Sequence, residues 1–367
     1  MSSTNSKRRW SVLLALVSLI CWCGSLAALV FCALGISAFV APDFWFTDNM
    51  SFFLRQFLAA GLLGCGAAAL GLLLPHRFAR TYRLMFGLAL VAFSGLAAAT
   101  AMRTLENTAE TQEPAESGLS LKIVSINVER MFLGDRRLTR FLERESPDII
   151  VLQEVMWWLQ ERRWERLELP VGSTGENGFP EFFSVGSAES LVVYSRFPIL
   201  QTRSQVVLGD LHEGASVIHD ADREILEVAL DTANGPLNLV SVHPDSPRNE
   251  VRWQNKRRYF AEADRSIRDL RDSDAGPILV IGDWNSAPWS ARFQRTLADN
   301  NLRTAYPGGW PRTTRFFFDH RLRWILGAPV DQFAVSGGIK VLGVSTGPHV
   351  GSDHLPLIIE IELPAPN

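Results

Sequence analysis

Asp283, Asn285, Asp353 and His354 are the residues whose types and spacing point most directly to chemistry. They lie in Ile278-Leu-Val-Ile-Gly-Asp-Trp-Asn285 and Gly351-Ser-Asp-His-Leu-Pro356. In the first, an aliphatic run ends abruptly in a glycine, a carboxylate and a carboxamide. That is the pattern of a buried strand delivering polar groups at its C-terminal tip. The second closes a loop and leads into an apolar run, Leu357 to Leu363. Carboxylates beside a histidine suit hydrolysis of a phosphoester with a divalent metal: hard oxygens hold the ion and an imidazole handles protons or charge.

Three more apolar runs end the same way. Asn127 closes Leu121–Asn127, Glu154 closes Asp148–Glu154, and His243 closes Leu239–His243. Taken singly, a strand-end Asn or Asp is a turn former and a strand-end Glu is solvated. Five such residues at four strand ends, together with Ser-Asp-His, argue for a built site.

The elements that must position these groups read as short apolar strands separated by turns and helices. Candidate strands are Leu121–Val128, Asp148–Gln153, Leu191–Ser195, Ile225–Leu230, Leu237–His243, Pro277–Asp283, Val330–Ser336 and Leu357–Leu363. Helices are expected over Asn249–Leu270, with Phe260, Ala263, Ile267 and Leu270 on one face, and over Asp135–Glu145 and Trp289–Asn300. Many strands with fewer helices predict two packed sheets covered by helices.

The first third of the chain is different. Trp10–Pro42, Gln56–Leu74 and Leu84–Met102 carry no charge, and each reaches the roughly 20 residues that cross a bilayer. Three transmembrane helices are expected, over about 12–40, 56–74 and 84–102. A signal peptide competes for the first run, which is too long for an h-region and is followed by two more spans. Lys7, Arg8 and Arg9 precede the first span, and His76, Arg77, Arg80 and Arg83 separate the second from the third. Asp43 and Asp48 occupy the loop between the first two. The basic residues predict a cytoplasmic N-terminus, with everything after residue 103 on the outer side of the membrane. Residues 104–118, rich in Glu, Thr, Ala and Ser and including Glu116, read as a solvated linker to a domain at 119–367.

The whole chain has a net charge of −3. Residues 1–103 hold 8 basic and 2 acidic residues, leaving 28 basic and 37 acidic beyond, a net of −9. Such a domain is no general nucleic-acid sponge, although a local Arg-rich groove could still hold a backbone. All four cysteines lie in the apolar runs, which excludes disulfide and thiolate chemistry from the rest.

From Leu119 to Leu363 the chain resembles the endonuclease/exonuclease/phosphatase superfamily, which includes DNase I-like nucleases, inositol polyphosphate phosphatases and neutral sphingomyelinases. The resemblance rests on Ser125-Ile-Asn-Val128, Leu152-Gln-Glu-Val155, Val193-Tyr-Ser-Arg-Phe-Pro198, Val242-His243, Gly282-Asp-Trp-Asn-Ser286, Asp331 and Gly351-Ser-Asp-His354. Three preceding spans and the Pro-Trp of Ala287-Pro-Trp289 are similar to a bacterial membrane-anchored branch. The resemblance implies a four-layer αββα sandwich (DNase I-like) with its site at one rim. It implies Glu154 as the main Mg²⁺ carboxylate, with Mn²⁺ a possible substitute, and Asn127 and Glu129 completing or supporting the metal site. It also implies Asp331 as partner of the catalytic His354, Asp353 as a metal or water ligand, and Asp283 as the group that orients or deprotonates water. Asn285 and His243 would donate to phosphate oxygens. Glu129 stands where the family often has Asp, Gln332 where Asp-His is common, and Ala188-Glu-Ser190 where many members carry Gly.

The substrate so implied is a phosphoester, either nucleic acid or a phospholipid-like compound, with the bilayer a second partner through the spans. A catalytically degenerate binding or scaffold module is the alternative, and it predicts loss of polar site residues that this chain retains. Phe316, Phe317, Phe318, Trp310 and Trp324 cluster before Asp331. They read first as a covering loop and core packing, and second as an apolar rim that touches lipid or stacks a base. Trp157 and Trp158 are read as site wall or packing, and Arg223 as a candidate to face substrate. Arg136, Arg137, Arg140, Arg162, Arg163 and Arg166 are read as solvated helix faces.

Overall fold

The computed structural model describes residues 2–73, 79–115, 117–166, 184–211 and 221–365. His76, Arg77 and Glu116 lie outside the described residues, as do the side chains of Lys7, Arg8 and Arg9. The chain divides into two compact units, Met1–Leu105 with Trp289–Ala291, and the remainder.

The first unit is built on α1 (Ser2–Val40), a short α2 (Trp45–Met50), α3 (Leu54–Leu70) and α4 (Ala79–Leu105). Three stretches, Trp10–Val40, Trp45–Leu73 and Arg80–Leu105, are long and apolar enough to cross a membrane. α1 and α3 approach through small residues, as helices do where no hydrophobic effect drives them together. A Cβ on Gly64 would come within 2.5 Å of the Gly24 carbonyl oxygen.

The second unit is a sandwich of two mixed six-stranded sheets. The first sheet has the order β13-β14-β1-β2-β4-β3, built from β1 (Leu119–Asn127), β2 (Ile149–Gln153), β3 (Ser184–Ala188), β4 (Leu191–Ser195), β13 (Lys340–Thr346) and β14 (Leu357–Leu363). The second has the order β5-β6-β7-β8-β12-β9, built from β5 (Ile199–Val207), β6 (Arg223–Thr232), β7 (Gly235–Val242), β8 (Ile278–Asp283), β9 (Leu302–Arg303) and β12 (Asp331–Ser336). A small pair, β10 (Arg315–Phe316) and β11 (Gly327–Ala328), stands apart.

Alternate side chains of both sheets meet in one core, Ile123, Val151, Leu239, Ile281 and Phe333 among them. The opposite face of the first sheet packs on α5 (Arg136–Glu145) through Leu138, Phe141 and Leu142, and α6 (Trp157–Arg166) adds Trp157 at its edge. The outer face of the second packs on α7 (Glu250–Asp272) and α8 (Ala291–Asp299) through Phe260, Ala263, Ile267, Phe293 and Leu297. Helix, sheet, sheet and helix make the four layers that the resemblance implies.

Two parallel pairings set the site. β1 runs parallel to β2 and β7 parallel to β8, so Asn127, Glu154, His243 and Asp283 all emerge at C-terminal strand ends. The tight β7–β8 approach requires glycine: Gly282 has φ +148° and a Cβ there would lie 2.2 Å from the Val242 carbonyl oxygen.

Residues 107–115 are mostly exposed but not detached. Ala109 N–H donates to Thr304 O (2.7 Å), Gln112 N–H to Val341 O (2.9 Å) and Ala115 N–H to Glu362 Oε2 (2.6 Å). The aromatic cluster departs from the core-packing reading. Only Phe316 of the five is buried; Trp310 and Phe317 are partly exposed, Phe318 is 95% exposed and Trp324 59%.

Candidate active site

Each site side chain has one polar atom tied down locally and another left for the site. Asp283 Oδ1 accepts the Asn285 N–H (2.8 Å), an Asx turn in which Asn285 takes φ +43°. Its Oδ2 is thereby turned inward. Asn127 Oδ1 accepts the Glu129 N–H (2.9 Å), while Nδ2 donates to Glu154 Oε1 (2.9 Å) and Asp283 Oδ2 (3.1 Å). Glu129 and Glu154, at φ +45° and +57°, also sit in the left-handed region. Non-glycine residues held there are uncommon and concentrate at functional sites.

His354 is fixed at both ends of its side. Its N–H donates to Ser352 Oγ (3.0 Å), and Ser352 Oγ donates to Asn127 O (2.7 Å). Nδ1 donates to Asp331, 2.8 and 3.0 Å from the two carboxylate oxygens, which sets the tautomer and leaves Nε2 to the site. Asp283 Oδ2 is the hub. Around it lie Asn127 Nδ2 at 3.1 Å, Asn285 Nδ2 at 3.4 Å, and His243 Nε2 and His354 Nε2 at 3.7 Å each. His243 Nε2 is also 3.4 Å from Glu154 Oε1.

Electrostatics follow from this crowding. Burial pulls the His354 imidazole down, but Asp331 and Asp283 outweigh it and carry its pKa up to about 9. Burial raises the Asp283 carboxyl more than the facing histidines lower it. Glu154 is also raised by burial, but His243, the Asn127 amide, His354 and Arg130 together hold it below the ordinary range. Glu154 is thus held low and His354 and Asp283 high, and groups whose environments push their pKa values apart are suited to different chemical tasks.

Asp353, expected as a metal or water ligand, is engaged by a residue the sequence reading did not single out. Arg315 Nε and Nη2 lie 3.2 and 3.1 Å from Asp353 Oδ2. Asp353 Oδ1 is 3.6 Å from His354 Nε2, and its N–H donates to Glu129 Oε2 (3.0 Å). Tyr259 was also unread: buried on α7, it accepts the His243 N–H (2.9 Å) and donates to Glu224 O (2.7 Å). Neither residue sits in a strand-end motif that would have flagged it.

The remaining expectations resolve simply. Arg223 pairs with buried Asp245 at 2.6 Å. Gln332 is buried, its side-chain amide donating to Pro329 O (3.0 Å) and its backbone carbonyl accepting the Trp284 indole N–H (3.0 Å). Trp157 packs on the first sheet's outer layer and Trp158 is exposed. Arg136, Arg137, Arg140, Arg162, Arg163 and Arg166 are all exposed.

For a divalent ion the fitting donors are hard carboxylate oxygens at one rim, with every described cysteine in residues 21–65. Asp283, Asp331 and His354 bring ligand atoms within 4.8 Å of one another. Both Asp331 oxygens already face the imidazole, so the more open Glu154, with Glu129 beside it, is the better ion holder.

A family model, Endonuclease/Exonuclease/phosphatase family, matches residues 124–354, well over half of the chain. The chain belongs to the endonuclease/exonuclease/phosphatase family. Exodeoxyribonuclease III of Haemophilus influenzae is 22% identical over 204 residues, 54% of this chain and 67% of that protein. Among family structures, the endonuclease/exonuclease/phosphatase from Beutenbergia cavernae superposes with a TM-score of 0.50 at 18% identity, over 66% of this chain and 72% of that one. The endonuclease/exonuclease/phosphatase from Bacteroides vulgatus gives a TM-score of 0.49 at 18% identity, over 67% of this chain and 100% of that one.

Proposed function

We propose that this family member is a membrane-anchored, Mg²⁺-dependent phosphoesterase, with residues 1–103 as anchor, 104–118 as linker and 119–367 as catalytic domain. The observation that carries the reading is the convergence of four side-chain nitrogens within 3.7 Å of Asp283 Oδ2, beside a His354–Asp331 pair and an ionised Glu154. Retention of this whole polar set argues against a degenerate scaffold.

A phosphoester is anionic and repels hydroxide. Glu154 is the main metal carboxylate, supported by Asn127, Glu129 and Asp353; bound there, the ion would neutralise phosphate charge and acidify water. Asp283 orients the attacking water and takes its proton through Oδ2. Asn127, Asn285 and His243 donate to phosphoryl oxygens as negative charge builds. His354, held cationic by Asp331, donates from Nε2 to the scissile phosphate. Arg315 holds Asp353 in place, with Asp353 Oδ1 3.6 Å from His354 Nε2.

Nucleic acid and phospholipid-like esters are both candidate substrates; the curated relative is named for DNA, and the −9 charge beyond residue 103 disfavours a polyanion. The test is hydrolysis by the full chain in detergent of bis-p-nitrophenyl phosphate, plasmid DNA and a phospholipid panel, with Mg²⁺, Mn²⁺ or EDTA. Metal-dependent cleavage that vanishes in His354→Ala supports the reading. Cleavage equal in EDTA or in the variant defeats it.

A further inference from the structure

The segment between β10 and β11 exposes more large apolar surface than any comparable stretch of the described second unit. Phe318 is 95% exposed, Leu322 45%, Trp324 59% and Ile325 67%, with Leu326 also outward. Val206, Leu208 and Leu211, 53%, 70% and 54% exposed, form a smaller second group, while Leu200 and Val251 stand apart from it. Contiguous apolar surface of this kind marks an interaction site.

The segment is also well ordered by its own backbone. Phe317 N–H donates to Leu326 O (2.8 Å), Leu322 N–H to Asp319 O (2.9 Å) and Leu326 N–H to Leu322 O (2.7 Å). Arg323 donates to His320 O (3.0 Å) and lies over the Trp324 ring, 5.1 Å from its centroid. With these polar groups satisfied within the segment, the apolar side chains can leave water without stranding backbone donors.

Its charge is opposite to that of its surroundings. Between Trp310 and Gly327 stand Arg312, Arg315, Arg321 and Arg323 against Asp319 alone, a local +3, whereas the chain beyond residue 103 totals −9. Trp, Phe, Leu and Ile interleaved with Arg is the composition that seats in the headgroup region of anionic lipid.

The segment adjoins the reacting groups. Phe316 N–H donates to Asp353 O (3.0 Å), Leu355 N–H to Thr314 O (2.6 Å), and Arg315 bridges to His354 in antiparallel fashion. A cleft of about 540 Å³ lies between them, walled by Phe316, Phe318, His320, His349, Glu129 and Asp353. The stacked rings of His320 and His349, centroids 4.6 Å apart, form one side.

We propose that residues 317–326 dock the catalytic rim on an anionic bilayer surface, so that the phosphoester is drawn from lipid through this cleft. The docking stands on the segment alone; the substrate half rests on the phosphoesterase reading. The test places an environment-sensitive fluorescent amino acid at position 318, or at the exposed polar control position 272 at the end of α7, in the full chain in nanodiscs with doxyl-labelled lipid.

Stronger quenching at 318 than at 272, increased by phosphatidylglycerol and reduced by Arg321→Glu/Arg323→Glu, supports docking. Equal quenching at both positions overturns it. Leu322→Ser/Trp324→Ser/Ile325→Ser is expected to keep turnover of soluble bis-p-nitrophenyl phosphate while losing about tenfold or more on phosphodiester lipid in the discs. An equal loss on plasmid DNA without quenching at 318 overturns docking in favour of base stacking. Quenching at 318 with no turnover of any ester leaves docking standing and removes the phosphoesterase reading instead.

Discussion

At the residue scale the site is a set of polar side chains each half-satisfied by its own neighbourhood, and the consequences of substitution follow. Removing the imidazole in His354→Ala, or the hub carboxylate in Asp283→Ala, is expected to lower turnover on the order of a thousandfold or more while the fold persists; wild-type rates in either purified variant would sink the assignment. Asp331→Asn cannot stabilise a cationic imidazole, and a loss of about 10²–10⁴-fold is expected. The same pair predicts a pH dependence of stability. The His354 pKa is raised to about 9 in the folded protein, above the roughly 6.5 of an unfolded histidine. Its stabilisation is therefore complete below about pH 6.5 and is lost as pH rises through about 9. In EDTA, the melting-temperature difference between wild type and His354→Asn should shrink over that window; a constant difference would contradict it. Most of these residues were legible because each ends an apolar run. Arg315 and Tyr259 were not, since their roles come from contacts made across the fold, Arg315 with Asp353 and Tyr259 with the His243 backbone.

At the element scale, interior strands were readable and edge strands were not. Leu191–Ser195 and Leu357–Leu363 form where the apolar runs predict, and the others shift by one or two residues at their ends. The unread strands β3, β5 and β13 all lie at sheet edges. There β5 presents Gln201 to Ser204 to solvent and β13 carries a bulge at Gly343, so neither shows an apolar run. The mixed sheets depend most on the β7–β8 crossing. Gly282→Ala adds a methyl against the Val242 carbonyl and strains a φ of +148°. A loss of about 3 kcal/mol is expected, read as a lowered denaturation midpoint with activity falling alongside; unchanged stability would show that the strands can part without cost.

At the scale of the whole molecule, the apolar first third and the polar remainder are told apart by charge alone, because no span needs a charged residue and the sandwich needs many. The proposed topology, drawn from the basic residues flanking the apolar helices, has the C-terminus outside the cytoplasm. Alkaline phosphatase fused after Asn367 should then be active and a fused green fluorescent protein dark; the reverse would invert the topology. Within the sandwich, the ties Asn127–Asp283, Glu154–His243 and Asp331–His354 each join a residue of one sheet to a residue of the other. No sheet holds a complete set. The enzyme is therefore a gauge of its own assembly: a slight slip between the sheets separates the reacting partners while every strand ladder is intact. Inactivation by denaturant should precede the loss of β-sheet signal, so that the first casualty of destabilisation is the registry of two surfaces and not the surfaces themselves.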